Sequence, residues 1–333
     1  MARRPRRRNK PPVTIGGFGE GELPSLTQLE QFSQQSLKKW RESAGALTEL
    51  HTELFFGLEL ARQRYSTQLL DAARANLTPG TPFQGWARII DYRYCLAPLS
   101  VAGSLKGDGG RFNIDAGLSP AAFPAFPALY IASDYPTAFR ERFGMDPNKS
   151  HGGLSSPTLA LRSPASFTHV GLRGQLEIMM DISDLRYLHG VAAVLREFTL
   201  PNSVRRIARR LNMRAPPTLV RSAAGLQRQL LHRDWRTYPV QFDLPSNSQV
   251  FGRIAVAAGL HGILYPSARQ ADGRCLALFP QNWKASSSFV EATDAAPSGV
   301  RARLHADSSS TAAGIRKGRP PAPSLAREHL NAP

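Results

Sequence analysis

The residues of this chain best suited to chemistry are a cation, a phenol and a carboxylate carried by one stretch, Gly109 to Glu141. Arg111 follows two glycines in Gly109-Gly110-Arg111-Phe112-Asn113. Glycine lets a backbone approach its neighbour closely, and a guanidinium presented there suits a pyrophosphate through paired hydrogen bonds. The competing reading is an arginine that bridges its loop to an acid, a common and weak arrangement. Tyr130 sits in the apolar run Ala128-Leu129-Tyr130-Ile131-Ala132-Ser133. Its ring can stack on a base and its hydroxyl can bond a ribose or phosphate, or it is a core tyrosine with a satisfied hydroxyl. Glu141 closes Thr137-Ala138-Phe139-Arg140-Glu141 near a helix beginning. It can hold a ribose hydroxyl and stabilise positive charge at an anomeric carbon, or it is a solvated acid favoured there by the helix dipole. Ser267, far downstream after Gly262-Ile263-Leu264-Tyr265-Pro266, offers a hydroxyl for a ligand amide or phosphate, or is a turn serine after proline.

Several other engines are missing from the sequence. It contains no phosphate-binding G-x-x-x-x-G-K-[ST], no G-x-S-x-G elbow and no H-E-x-x-H; His151, His169, His189 and His261 sit apart, with no metal-ligand spacing. The two cysteines, Cys95 and Cys275, give neither a disulfide framework nor a zinc site and fit a reducing, cytoplasmic setting. No apolar run approaches the ~20 residues that span a bilayer, and the basic N-terminus is not followed by the apolar segment of a secretory signal.

The elements that must position these side chains follow from periodicity. Trp86 to Tyr94 reads as a strand carrying Arg88 and Arg93, and Leu129 to Ala132 as a short buried strand. Asp134 to Thr137 reads as a helix entry with Pro136 in the first turn, so Ala138 to Phe143 is predicted helical. Phe167–Gly171 and Leu176–Ile182 read as two strands around the Gly171–Gly174 segment, a possible hairpin. Helices are predicted over 191–198, 204–211, 218–231 and 248–258, and strands over 262–265 and 276–279. The fold class is therefore α+β for a body spanning 81–285. Ahead of it, residues 25–80 read as a helical extension: Ser25 and Gln28 form a cap, Gly45 is expected to break the first helix, and Leu47, Leu50, Leu54 and Leu58 mark a second. Residues 1–24 and 286–333 are Arg/Pro/Gly- and Ser/Ala/Pro-rich and are expected to be disordered.

The formal charge of +17 is concentrated in two places. One is the N-terminal block from Arg3 to Lys10; the other runs from Arg205 to Arg236, where Asp234 is the only acid among Arg205, Arg206, Arg209, Arg210, Arg214, Arg221, Arg228, Arg233 and Arg236. Such a field attracts nucleic acid, an acidic protein or an anionic small molecule, or is simply a solvated surface.

Taken in order, the Gly109–Asn113, Leu129–Ser133 and Ala138–Glu141 segments, with Gly262–Arg269 and Leu276–Pro280 and a middle strand at Ile178–Leu185, resemble the RES domain, a family named for its arginine, glutamate and serine. The similarity covers about residues 85 to 282. Phe112 stands where many members have tryptophan, and the spacer between Gly117 and Ala128 is longer than usual. The resemblance implies an ADP-ribosyltransferase-like mixed β core. It also implies a toxin of a toxin–antitoxin pair that breaks the nicotinamide–ribose bond of NAD, often with phosphate as co-substrate. No cofactor or metal is implied. Arg111 would grip the NAD phosphates, Tyr130 contact the nicotinamide half, Glu141 orient the ribose and Ser267 complete the pocket; Arg88 or Arg93 would supply a first-strand arginine. The implied partner is an antitoxin, for which a helix-turn-helix protein is one candidate. Two other readings stand beside this one: a protein ADP-ribosyltransferase using the same pocket, and a nucleic-acid-binding or scaffold protein using the arginine clusters.

Overall fold

The computed structural model describes residues 34–75, 77–80, 82–118, 123–151, 153–161 and 166–308. The predicted cap at Ser25, the segment 1–24 and the end of the chain after 308 lie outside these residues. The helices are α1 (Gln34–Arg64), α2 (Ser66–Ala75), α3 (Tyr135–Phe143), α4 (Ser156–Ala160), α5 (His189–Arg196), α6 (Asn202–Arg210), α7 (Ala223–Leu230), α8 (Thr237–Phe242) and α9 (Asn247–Ala257). The strands are β1 (Thr78–Pro79), β2 (Pro82–Asp91), β3 (Leu129–Ala132), β4 (Ser150–His151), β5 (Leu154–Ser155), β6 (Phe167–Gln175), β7 (Ile178–Asp181), β8 (Gly262–Pro266), β9 (Arg274–Leu278), β10 (Phe289–Ala292) and β11 (Arg303–His305).

Nine strands form one mixed sheet in the order β1-β7-β8-β9-β3-β2-β6-β10-β11, with β7 and β8 parallel and the other described pairs antiparallel. Alternation along the strands divides their side chains between two cores. Ala87, Tyr130, Ala132, Ile263, Tyr265, Cys275 and Ala277 belong to the face covered by α2, α5, α7 and α9. Leu129, Ile131, Leu264, Leu276 and Leu278 face the other way, against Leu99, Val101 and Trp283.

The mixed α/β expectation is met, with corrections of detail. Helix α1 runs through Gly45, where an added Cβ would meet nothing. A surface glycine costs a helix about 0.5–1 kcal/mol, too little to end a helix whose Leu50 is buried against Val204, Ile207 and Leu211 of the α6 region. Helix α2 buries Leu69 and Ala73 in the main core, so the extension packs on the body. The two strands expected to pair as a hairpin do not: β6 continues through both glycines to Gln175 and pairs with β2 and β10, whereas β7 pairs with β1 and β8. Gly171 and Gly174 serve close packing rather than a turn. A Cβ at Gly174 would overlap the Phe289 carbonyl and the Phe83 ring, and one at Gly171 would lie 2.5 Å from Thr293 Oγ1. Segment 218–231 becomes helical only from Ala223, where Ser222 caps it by accepting from Gly225 N, and α8 was not foreseen. Both expected boundaries of the body move outward. β1 precedes residue 81, and the segment expected to be disordered from 286 instead adds β10 and β11 to the sheet edge, with Val290 and Leu304 fully buried.

Candidate functional site

The Gly109–Asn113 loop is locked from three sides. Gly109 adopts φ +72°, a left-handed conformation that glycine takes without steric cost. The Tyr130 hydroxyl, rising from β3, accepts from Phe112 N at 2.9 Å and donates to Asn113 Oδ1 at 2.9 Å. Asn113 Oδ1 also accepts from Gly110 N at 2.8 Å, while Nδ2 donates to Ser104 O at 2.7 Å and Phe126 O at 3.2 Å. From α9, the buried Gln249 donates to Asp108 O at 2.8 Å and Asn113 O at 3.1 Å. A Cβ on Gly110 would overlap the Tyr130 ring, and one on Gly252 would overlap the Phe112 carbonyl. The glycine that precedes Arg111 therefore makes room for a tyrosine of the protein, not for a ligand. Tyr130 correspondingly has its hydroxyl engaged as both donor and acceptor, which is the core-tyrosine alternative; burial raises its pKa well above the usual phenol value.

The loop delivers Arg111, 9% exposed, to the C-terminal end of α7. Its Nη1 donates to Leu230 O at 3.1 Å and His232 O at 2.9 Å. No described hydrogen bond uses Nε or Nη2, and no described ion pair joins Arg111 to an acid. Burial lowers its pKa; Tyr265 and Glu141 act against that, and the nearby Arg236 adds to it.

Glu141 and Ser267, 126 residues apart, meet. Helix α3 places the carboxylate: Asp134 caps the helix by accepting from Thr137 N at 2.7 Å, Pro136 occupies its first turn, and Gly144 ends it at φ +74°. Glu141 Oε1 accepts from Ser267 Oγ at 2.5 Å and from Ala268 N at 3.1 Å. Ser267 Oγ also accepts from Arg269 N at 3.1 Å and Gln270 N at 3.0 Å. A hydroxyl has one proton and two lone pairs, so Ser267 is saturated and its work is to orient Glu141. Oε2 of Glu141 has no partner among the described residues.

Arg88 is not part of this arrangement. Ala87 is paired with Ala132 and shares the Tyr130 face, so Arg88, one residue on, projects from the opposite face. There its guanidinium donates to Pro98 O at 2.9 Å and Ser100 O at 3.0 Å; burial, with a smaller contribution from Arg142, pushes its pKa down to about 10. Arg93 falls not in the strand but in a 3-10 turn at Tyr92–Tyr94, exposed, ion-paired to Asp91 at 3.4 Å and 4.8 Å from the Tyr94 ring centroid.

Tyr265 and Cys275, paired neighbours on β8 and β9, complete the floor beside Tyr130. Tyr265 packs edge-on against Phe112 at 4.9 Å, and burial raises the pKa of both side chains. The signal for Tyr265 was present in its spacing: it lies near the end of β8, two residues before Ser267. Gln249 gave no comparable signal, because only the crossing of α9 over the loop brings it there. An apolar cleft of ≈ 80 Å³ is lined by Leu58, Arg62, Val191, Phe198, Leu230 and Phe251 among others. Among the described residues no group of three or more histidine, cysteine or acidic side chains is placed to hold a metal ion, and no helix is long and apolar enough to cross a membrane.

The mixed sheet, its loops and α3 thus gather a buried guanidinium, two phenols and an oriented carboxylate. The chain belongs to the RES domain family, whose model matches residues 85–298, well over half its length. Among solved structures it is similar to a chain of the M. tuberculosis MbcT–MbcA toxin–antitoxin complex, at 14% identity and a TM-score of 0.40, over 74% of this chain and 97% of that one. No curated protein matches it.

Proposed function

We propose that this protein degrades NAD by cleaving its nicotinamide–ribose bond on an ADP-ribosyltransferase-like core, and that it is the toxin of a toxin–antitoxin pair. The observation that carries the reading is Glu141, fixed through one carboxylate oxygen by Ser267 and Ala268, with its other oxygen unpartnered and the buried Arg111 in electrostatic reach. Breaking the C1′–N bond sends its electron pair to nicotinamide, which leaves neutral, and puts positive charge on the ribose. A preorganised carboxylate stabilises that charge as it develops. Arg111, through Nε and Nη2, holds the diphosphate and so the ribose in place. Phosphate then attacks C1′ to give a ribosyl phosphate, or water attacks with loss of a proton to give ADP-ribose. Tyr130 and Ser267 act as positioning residues, one for the Arg111 loop and one for the carboxylate.

The setting proposed is cytoplasmic, with an antitoxin as partner, for which a helix-turn-helix protein is one candidate. Transfer of ADP-ribose to a protein would use the same bond cleavage with a side-chain nucleophile in place of phosphate. The nucleic-acid reading draws on α6, whose Arg205, Arg206, Arg209 and Arg210 are all exposed, with Arg210 paired to Glu49. Product analysis after incubation with labelled NAD tests these readings together. Free nicotinamide with a phosphate-dependent ribosyl phosphate supports the phosphorolytic enzyme, and ADP-ribose alone supports hydrolysis. Label on protein supports the transferase. Intact NAD with salt-sensitive binding of nucleic acid would overturn the enzymatic reading.

A further inference from the structure

The segment after α7 carries a second cation that the cleavage chemistry does not use. Arg111 fastens this segment by donating to the carbonyls of Leu230 and His232. The same segment then sets the buried Trp235 against two guanidiniums: Arg111 Cζ lies 5.8 Å from the indole ring centroid and Arg236 Cζ lies 4.6 Å from it. Arg236 is exposed. No described hydrogen bond or ion pair engages its guanidinium, and none joins it to the carboxylate of Asp234, the nearest acid in sequence. Stacking on the ring face leaves the edge N–H groups of a guanidinium free to donate. Two like charges held against one ring repel, at a cost that a bound anion would relieve.

We propose that Arg111 and Arg236, registered by Trp235, form a two-cation clamp for the diphosphate of a nucleotide, Arg111 as the buried jaw and Arg236 as the exposed one. A diphosphate presents two adjacent anionic groups and engages both jaws; a monophosphate engages one. The nucleotide is named on the strength of the NAD reading, but the clamp is tested without turnover.

The test is equilibrium binding of ADP and of AMP to the full chain and to its Arg236→Gln and Arg236→Lys variants. The wild type is expected to prefer ADP by at least about tenfold, in line with one added charge-assisted contact. Arg236→Gln should bring ADP down to the AMP level while AMP binding changes little, and Arg236→Lys should restore part of the preference. Because Arg236 is exposed, the thermal midpoint of Arg236→Gln should match that of the wild type, which separates ligand contact from a structural role. An unchanged ADP preference in Arg236→Gln overturns the clamp, even if the enzyme cleaves NAD. Failure of the wild type to bind ADP, or to distinguish it from AMP, overturns it as well. An ADP preference that Arg236→Gln abolishes, in a protein that leaves NAD intact, upholds the clamp and removes the NAD reading.

Discussion

At the scale of single residues, the site separates groups that act from groups that hold. Glu141 and Arg111 keep hydrogen-bonding capacity in reserve, whereas the Tyr130 hydroxyl is engaged as both donor and acceptor and Ser267 is saturated. This division predicts different phenotypes. Tyr130→Phe removes the hydroxyl that joins Phe112 N and Asn113 and leaves a partly buried amide unpaired, at about 1–3 kcal/mol. The expected result is a lower melting temperature and weaker NAD binding with chemistry still present; a variant of wild-type stability would contradict the locking role. The sequence made Glu141 and Ser267 legible because their order and surroundings match a family pattern. It could not separate the two readings of Tyr130, because a phenol on a buried strand looks the same whether its hydroxyl meets a ligand or a neighbouring amide. The face that Arg88 takes was not legible for a simpler reason: strand parity, applied relative to Tyr130, needs the β2–β3 register, which only the paired structure supplies.

At the scale of elements, α3 is the lever that sets the carboxylate. Its start is defined by Asp134, which accepts from Thr137 N, Thr137 Oγ1 at 3.0 Å and Ser133 Oγ at 2.7 Å. Asp134→Ala is expected to cost about 1–2 kcal/mol by loss of the cap, measured as a shift of the denaturant midpoint, and to lower turnover by loosening Glu141. Retained midpoint and turnover together would show that the helix is set by its packing alone. Helices with strong caps were readable: α9 has a Ser246/Gln249 capping box and stops before Gly259 at φ +85°. The β6 glycines were not, since in a linear sequence a glycine that admits a neighbouring ring is indistinguishable from one that turns the chain.

At the scale of the whole molecule, the sheet is longer than its sequence suggests because β10 and β11 are short and sit in a polar, Ser- and Ala-rich region; only pairing with β6 and burial of Val290 and Leu304 make them strands. Stability also carries a titration signature. His261 is buried, bonded through Nδ1 to Ser288 Oγ at 2.7 Å, and His51 packs 4.1 Å from the Phe242 ring; burial lowers the pKa of both. The unfolded chain therefore takes up protons near the ordinary histidine value while the folded chain does not. Stability is full above that pH and falls as the pH drops through the lowered folded values. Thermal unfolding between pH 7 and pH 5 should show this decline, and His261→Gln should flatten it; a melting temperature that rises on acidification would contradict the assignment.

The most direct measurement of the central claim is nicotinamide release from NAD in phosphate buffer by the wild type and Glu141→Gln, side by side at equal folded concentration. Glutamine keeps the shape but removes the charge that stabilises the ribosyl cation, so release by the variant should fall by at least about 100-fold with little change in melting temperature. Equal release by both proteins, or none from folded wild type free of any bound partner, would contradict it.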